Sequence, residues 1–183
     1  MNSFVFRWSS TFVIVCFLCA GCIETEIKPE EKSHLVDATD LEPYYGFILA
    51  DSGKYNKTRF FDGSVELEYE LEYEDENNYI YLLNTVSLEK SHSDAVTTYG
   101  FENLGTKMFD DGIIMRSMDS LFTYGTRSSL DLLLNEEDQV PIGNLFHCQV
   151  GKKVSYLLIA GIYFDNGEDW EEFISPHLLE LSK

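Results

Sequence analysis

Basic residues are scarce in this chain, which has 13 Lys and Arg against 32 Asp and Glu and a formal net charge of −19. A surface this acidic repels phosphate backbones, so nucleic acid is not an expected partner. It also repels anionic lipid headgroups. Cationic proteins, polyamines and divalent metal ions would be attracted to it instead.

Cysteine is also sparse, and three of the four cysteines lie within the first 22 residues. Only Cys148 remains downstream, so the rest of the chain offers no intramolecular disulfide. The apolar-leaning residues around Cys148 predict a small, buried side chain rather than a reactive thiol.

Residues 11–20 are mostly apolar, but a run of about ten such residues is too short to span a bilayer. The run follows Arg7 and ends at two small residues, Ala20 and Gly21, just before Cys22. This order of a basic residue, an apolar run and small residues is the layout of a cleavable secretory signal.

The ending L-C-A-G-C, which closes at Cys22, resembles the lipobox of bacterial lipoprotein precursors. The resemblance implies that residues 1–21 are a signal peptide and that Cys22 becomes lipidated. It departs from the family at Cys19, where Leu is usual. Several acyl chains on one cysteine would anchor the protein stably to a membrane. Because Ile23 rather than Asp follows Cys22, the resemblance implies the periplasmic face of the outer membrane in a Gram-negative host. An ordinary secretory signal is the alternative.

The chain lacks the usual motifs of catalysis and cofactor binding. No G-x-S-x-G, Walker A or dinucleotide fingerprint occurs. The S-x-x-K string at residues 87–90 lacks the S-D-N and K-T-G elements that accompany it in penicillin-binding enzymes. The four histidines show no H-x-H or H-x-x-x-H spacing. We therefore expect a protein that is not an enzyme and has no metal or cofactor. A hydrolase that uses two of the many carboxyl groups as acid and base stays an open alternative.

The clearest pattern in the chain is V-E-L-E-Y-E-L-E-Y-E at residues 65–74. Apolar and acidic side chains alternate throughout, which predicts a β-strand with one face in the core and one in water. Residues 75–78 predict a turn, and residues 79–88 a second strand of a hairpin. The acidic side chains form what we call the glutamate ladder: Glu66, Glu68, Glu70, Glu72 and Glu74. It is the candidate binding surface for a basic protein, with a merely solvated strand face as the alternative.

The remaining segments predict a single α+β domain over residues 44–183. The segment 22–43 begins with Cys22, which the lipobox resemblance implies is lipidated, and its remaining residues are charged and aperiodic, which predicts a flexible tether. A short helix is predicted at residues 91–104, with Ala95, Val96, Tyr99 and Leu104 on its inner face. Further strands are expected at residues 112–118, 121–134, 145–150 and 154–164. An amphipathic helix at residues 168–181 completes the domain, with a kink or restart at Pro176.

These elements predict an antiparallel sheet of five to seven strands with one or two helices packed on one face. The element order resembles that of the PsbP-type extrinsic subunits of photosystems. The function expected from charge and location is a non-catalytic, lipid-anchored envelope protein that binds a basic protein. An immunity or inhibitor protein against a basic toxin or enzyme is one form of this role. A structural or assembly accessory of an envelope complex is the alternative.

Overall fold

The computed structural model describes residues 23–24, 26–45, 53–76, 78–106, 112–118 and 127–183. The predicted signal peptide and the predicted lipid attachment site, Cys22, lie outside these residues. The strands are β1 (Ile23–Glu24), β2 (Lys54–Arg59), β3 (Val65–Glu74), β4 (Tyr79–Leu88), β5 (Ile113–Ser117), β6 (Arg127–Asn135), β7 (Pro141–Val150) and β8 (Lys153–Ala160). The helices are α1 (Pro29–Lys32), α2 (Ala38–Tyr45), α3 (His92–Thr106) and α4 (Gly167–Ser182).

The strands form one antiparallel sheet in the order β1-β2-β3-β4-β8-β7-β6-β5. The predicted α+β fold with an antiparallel sheet is confirmed, and the two-residue β1 brings the number of strands among the described residues to eight. β8 lies between β4 and β7, with Leu157, Leu158 and Ile159 all buried. Its continuous apolar run is therefore explained by a strand that is covered on both faces.

The β3–β4 hairpin has the predicted bounds. Val65 pairs with Leu88 at one end, and Glu74 pairs with Tyr79 at the turn. In the turn, the backbone N–H of Asp75 donates to the carbonyl of Asn78 at 2.9 Å. The apolar residues of β3 enter the main core, in which Leu67 and Leu71 are fully buried.

The C-terminal helix α4 buries the six residues that the helical spacing predicts: Trp170, Phe173, Ile174, His177, Leu178 and Leu181. Asn166 caps the helix by accepting a hydrogen bond from the backbone N–H of Asp169 at 3.0 Å. The helix runs through Pro176 without the predicted restart. The Ser175 hydroxyl donates to the backbone carbonyl of Glu171 at 2.5 Å, within the same continuous helix.

The two long helices lie on opposite faces of the sheet. Phe146 of β7 packs against Trp170 of α4, with ring centroids 5.3 Å apart. The next residue, His147, faces Tyr99 of α3, with ring centroids 6.4 Å apart. Adjacent residues on a strand point to opposite faces, so α3 covers the second face. Both helices are predicted from the sequence; α4 packs on the face of the main core, whereas α3 packs on the other face.

The N-terminal segment packs on the same face as α4. Leu35, Val36, Ala38 and Leu41 are at most 6% exposed and belong to the main core. The flexible tether predicted for residues 22–43 is therefore wrong for residues 29–43. Four apolar side chains in an otherwise charged stretch gain more by burial than the segment loses in chain entropy. The folded domain thus starts before residue 44.

Hydrogen bonds fix this segment to the hairpin. The backbone N–H of Val36 donates to Asn84 Oδ1 of β4 at 2.7 Å, and that of Ala38 donates to the Tyr69 hydroxyl of β3 at 3.2 Å. Both bonds are buried, so each satisfies a backbone group that would otherwise be costly to remove from water.

Candidate functional site

The glutamate ladder lies on the face of the sheet that carries α3. β3 is bordered by β2 and β4, so the ladder runs along an internal strand rather than along an edge. Glu66, Glu68 and Glu70 are half-buried, whereas Glu72 and Glu74 are exposed. The ladder therefore passes from a covered end beside α3 to a solvated end beside the β3–β4 turn.

Neutral groups hold the middle of the ladder. Asn56 Nδ2 donates to Glu68 Oε1 at 2.7 Å, and the Tyr81 hydroxyl donates to Glu70 Oε1 at 3.1 Å. Burial raises the pKa of Tyr81, and the negative charge of Glu70 raises it further. These bonds order the carboxylates without neutralising their charge.

No cation compensates the ladder within the described residues. Their two ion pairs are Lys57 with Glu31 and Lys183 with Glu180, and neither includes a ladder glutamate. Lys54 lies opposite Glu70 in the register of β2 and β3, but outside ion-pair distance. Within the described residues, the ladder carboxylates therefore have no ion-pair partner.

Helix α3 adds a further carboxyl group at the covered end. Ala95, Tyr99 and Glu102 follow the helical spacing i, i+4, i+7, which places them along one stripe. Ala95 and Tyr99 are buried against Val154 of β8. Glu102 follows them on the same stripe, and the negative charge of Glu66 adds to the effect of burial in raising the pKa of Glu102.

The inner face of α3 differs from the prediction at one position. Leu104 was expected there, but it is 62% exposed, and Glu102 takes the inward position. The sequence signal was present, because Glu102 stands three residues after Tyr99. Hydrophobicity alone favoured Leu104, since a carboxyl group is seldom expected against a sheet.

The pKa values of these two carboxyl groups are raised well above the ordinary value of 4.5. Burial raises the pKa of Glu66 to about 7, with Glu68 and Glu89 adding repulsion. Burial raises the pKa of Glu102 to about 8, with Glu66 and Glu89 adding repulsion. Carboxyl groups of this kind exchange protons near neutral pH and, once ionised, hold a cationic group. The hydrolase alternative would also place its acid and base at this pair.

Aromatic side chains of β7 and β8 lie on the same face of the sheet as this pair. Tyr156 of β8 packs against His147 of β7, with ring centroids 4.7 Å apart and ring planes tilted by 57°. Burial raises the pKa of Tyr156, and the nearby Glu102 adds to the rise. Burial also lowers the pKa of His147 to about 4, so the imidazole is neutral at neutral pH.

A separate polar chain crosses the main core on the other face. Asn84 Nδ2 lies 3.3 Å from Ser155 Oγ, which lies 3.1 Å from His177 Nε2. Ser155 is completely buried, and His177 is 6% exposed, with no hydrogen-bond partner at Nδ1 among the described residues. A catalytic serine needs access to substrate and a third group that orients its histidine. We therefore assign this chain to holding β4, β8 and α4 together.

The described residues can be searched for a metal site, a reactive thiol and a membrane-spanning helix. Within these, no group of three His, Cys, Asp or Glu side chains is arranged to hold a metal ion. Cys148, the free cysteine among them, is fully buried as predicted, and burial raises the pKa of its thiol to about 12. No described helix is both long and apolar enough to cross a membrane.

No family model, curated protein or solved structure matches this chain.

Proposed function

We propose that this is a non-catalytic, lipid-anchored envelope protein that binds a basic protein through the glutamate ladder. The anchor is Cys22, and the location is the cell envelope, at the periplasmic face of the outer membrane in a Gram-negative host. The lipobox-like ending supports the anchor, and removing Arg7 with the signal leaves 12 basic against 32 acidic residues, a charge of −20. Such a charge steers basic partners toward the surface.

The observation that carries the binding role is the uncompensated ladder. Five glutamates occupy alternate positions of one rigid strand, and no described lysine or arginine is within ion-pair distance of them. Like charges in register cost stability unless a partner or solvent compensates them. A basic surface of matching spacing would relieve that repulsion on binding.

An immunity or inhibitor protein is the form of this role that fits location and charge best. A domain held at the envelope can cover the cleft of a cationic toxin or wall-degrading enzyme before the substrate reaches it. The exposed end of the ladder, at Glu72 and Glu74, offers the first contact, because those side chains are solvated and can steer a diffusing cation.

A charge-matched comparison tests the ladder. The full-length chain in detergent is titrated with an oligolysine peptide at low and high salt. The ladder variant carries Glu→Gln at residues 68, 70, 72 and 74. Its control carries four Glu→Gln changes at the exposed residues 136, 137, 171 and 172, so both lose the same net charge. We expect the ladder variant to bind at least tenfold more weakly than the control. Equal affinity in the two variants would show that net charge, rather than the ladder, holds the peptide.

The exposed apolar side chains of α3 favour a second candidate, an assembly accessory of an envelope complex. Phe101 is 69% exposed and Leu104 is 62% exposed. Large exposed apolar side chains of this kind are suited to lasting contact with another subunit. Apolar contact is not screened by salt, so a partner that stays bound at high salt and is lost on Phe101→Ser and Leu104→Ser substitution would favour this candidate over electrostatic capture.

A further inference from the structure

One end of the sheet lies next to the predicted acylation site. Ile23 of β1 pairs with Arg59, the last residue of the antiparallel strand β2. The peptide bond from Cys22 to Ile23 therefore lies at the end of the sheet where β2 finishes, which we call the anchor end. The Cα atoms of these two residues are about 3.8 Å apart, because one trans peptide bond joins them. The register places the β2–β3 turn, the last residue of β4 and the β7–β8 turn at the same end.

The β2–β3 turn presents an aromatic ring to solvent at the anchor end. Phe61 is 73% exposed, more than any other large apolar side chain among the described residues. Hydrogen bonds make the turn rigid: the backbone N–H of Gly63 donates to the carbonyl of Phe60 at 2.9 Å, and that of Phe60 donates to the carbonyl of Ser64 at 3.0 Å. Asp62 Oδ1 accepts from the backbone N–H and the hydroxyl of Ser64 at 2.9 and 2.7 Å. A turn that is already ordered loses little further chain entropy when its exposed ring enters another phase.

Two exposed lysines lie at the anchor end with this ring. A Cβ atom on Gly63 would lie 3.0 Å from Lys90 Cε, so the Lys90 side chain passes directly beside the β2–β3 turn. The backbone N–H of Glu89 donates to the carbonyl of Lys152 at 2.9 Å, which brings the β7–β8 turn next to the residues that follow β4. Lys90 and Lys152 are both exposed. Long basic side chains of this kind can keep their charged heads among lipid headgroups while an aromatic ring beside them enters the apolar layer.

The opposite end of the sheet is purely acidic. Its β3–β4 and β6–β7 turns contain neither lysine nor arginine and carry five exposed acidic residues: Asp75, Glu76, Glu136, Glu137 and Asp138. The turns of the anchor end, residues 60–64, 89–91 and 151–152, carry two acidic and two basic side chains, so their formal charges sum to zero. An anionic lipid surface therefore repels the opposite end strongly and the anchor end least.

We infer that the anchor end is a membrane-docking surface, on which Phe61 enters the boundary between headgroups and acyl chains while Lys90 and Lys152 contact anionic headgroups. This inference rests on the proposed anchor at Cys22 and adds which side of the domain faces the lipid. A single exposed apolar side chain is common on protein surfaces, and it is the position of Phe61 beside the acylation site that gives it a role. The acyl chains hold the domain at the bilayer, and the docking surface orients it.

The orientation has a consequence for the glutamate ladder. Glu74 pairs with Tyr79 at the end of the hairpin that lies opposite the anchor end. When Phe61 faces the lipid, the exposed part of the ladder, at Glu72 and Glu74, points away from the bilayer. A basic partner that diffuses in the surrounding solution can then reach the ladder without first contacting lipid.

Quenching of tryptophan fluorescence by brominated lipid tests the orientation. The acylated protein is purified from bacterial membranes and reconstituted in vesicles of phosphatidylethanolamine and phosphatidylglycerol, with or without bromine on the acyl chains. Phe61→Trp places the probe at the anchor end, and Tyr163→Trp is the matched control. Tyr163 is 45% exposed and lies in the loop after β8, which Gly161 fixes at the opposite end by donating to the carbonyl of Ile142 at 2.9 Å. Trp170 is fully buried, so the wild type supplies the background emission.

We expect brominated lipid to quench the Phe61→Trp probe at least about threefold more strongly than the Tyr163→Trp probe, because interfacial side chains reach about 5–10 Å into the headgroup–acyl boundary. Equal quenching of the two probes, or stronger quenching of Tyr163→Trp, would overturn the docking surface. Each variant replaces one exposed aromatic ring with another, so both should fold, and circular dichroism checks this.

A pair of double variants tests the lysines in the Phe61→Trp background. Lys90→Gln with Lys152→Gln should about halve the quenching on these anionic vesicles. The control is Lys32→Gln with Lys54→Gln, which removes the same charge from exposed positions away from the anchor end: Lys54 begins β2, and Lys32 Nζ lies 4.0 Å from the centroid of the Tyr55 ring. Equal quenching in the two double variants would overturn the headgroup contacts assigned to the lysines.

Mass spectrometry of the same preparations separates this inference from the proposed anchor. If Cys22 carries lipid and the two tryptophan probes are quenched equally, the docking surface is wrong and the anchor stands. If Cys22 carries no lipid and the protein stays out of the vesicles, the anchor is wrong and the docking surface is wrong with it.

Discussion

Lys57 of β2 and Glu31 of α1 form an ion pair at the edge of the main core, with Lys57 Nζ 2.6 and 2.8 Å from the two carboxylate oxygens. The lysine side chain is only 4% exposed. Although burial opposes it, the hydrogen bonds from Lys57 and from the backbone N–H of Lys28 hold the pKa of Glu31 below its usual value. The pair fixes the N-terminal segment to the sheet.

Replacing Glu31 alone should therefore lower the free energy of unfolding more than replacing Glu31 and Lys57 together. Glu31→Gln leaves a buried ammonium group without a counter-charge, and we expect a loss of about 2 kcal/mol in the free energy of unfolding. The double variant Glu31→Gln with Lys57→Met should recover most of that loss. Chemical denaturation at pH 7 measures both, and a double variant no more stable than Glu31→Gln would argue against the pair.

The raised pKa values of Glu66 and Glu102 predict a stability that falls as pH rises. Between about pH 4.5 and pH 8 the folded state binds more protons than the unfolded state, so the free energy of unfolding decreases across this window. Replacing both residues with glutamine should remove this decrease and raise the free energy of unfolding at pH 8 by about 3 kcal/mol or more. Denaturation curves at pH 5, 6.5 and 8 measure it, and a wild type with equal stability at pH 5 and pH 8 would contradict the burial of this pair.

The buried histidines predict the opposite trend at lower pH. Burial lowers the pKa of His147 to about 4 and that of His177 to about 3, and the positive charge of His34 adds to the effect on His177. Both groups bind protons more readily in the unfolded state below about pH 6.5, so stability should fall as pH decreases toward 3. A His147→Gln variant should lose less stability than wild type between pH 6.5 and pH 4, as acid titration followed by tyrosine fluorescence would show.

Two glycines predict opposite effects of the same substitution. A Cβ atom on Gly161, which has φ of +86°, would lie 1.8 Å from the carbonyl oxygen of Tyr79. Gly161→Ala should therefore lower the free energy of unfolding by more than about 2 kcal/mol. Gly100 lies inside α3 with open space around it, so Gly100→Ala should raise the free energy of unfolding by about 0.5–1 kcal/mol. Thermal melts of both variants test the pair, and a stabilised Gly161→Ala would contradict the close approach of β4 and β8.

The anchor prediction concerns Cys22 alone. A Cys22→Ala variant expressed in a bacterial host should lose incorporation of radiolabelled palmitate and leave the membrane fraction. Cys19→Ala is the matched control and should keep both properties, because Leu18 before Cys19 is bulky where the lipobox has a small residue. Palmitate incorporation in Cys22→Ala would exclude this site.

The sequence predicts the elements that depend on neighbours along the chain. The alternation of β3 and the stripe of α4 are periodic patterns, and the structure confirms both with their burial. The contacts that complete the main core join distant positions. Val36 and Asn84 are 48 residues apart, and Asn84 and Ser155 are 71 apart. The inward turn of Glu102 escaped prediction because its partner residues, Glu66 and Tyr156, come from other strands.

β1 begins at Ile23, the residue directly after the predicted acylation site, and it pairs with β2 at the sheet edge. An unfolded chain over residues 23–43 would have allowed the domain to wander roughly 70 Å from its lipid. Because the sheet edge starts one peptide bond after Cys22, an acylated protein would have no such flexible segment. The folded domain would stay directly against the bilayer surface. It could intercept only those partners that come within its own height of the lipid surface.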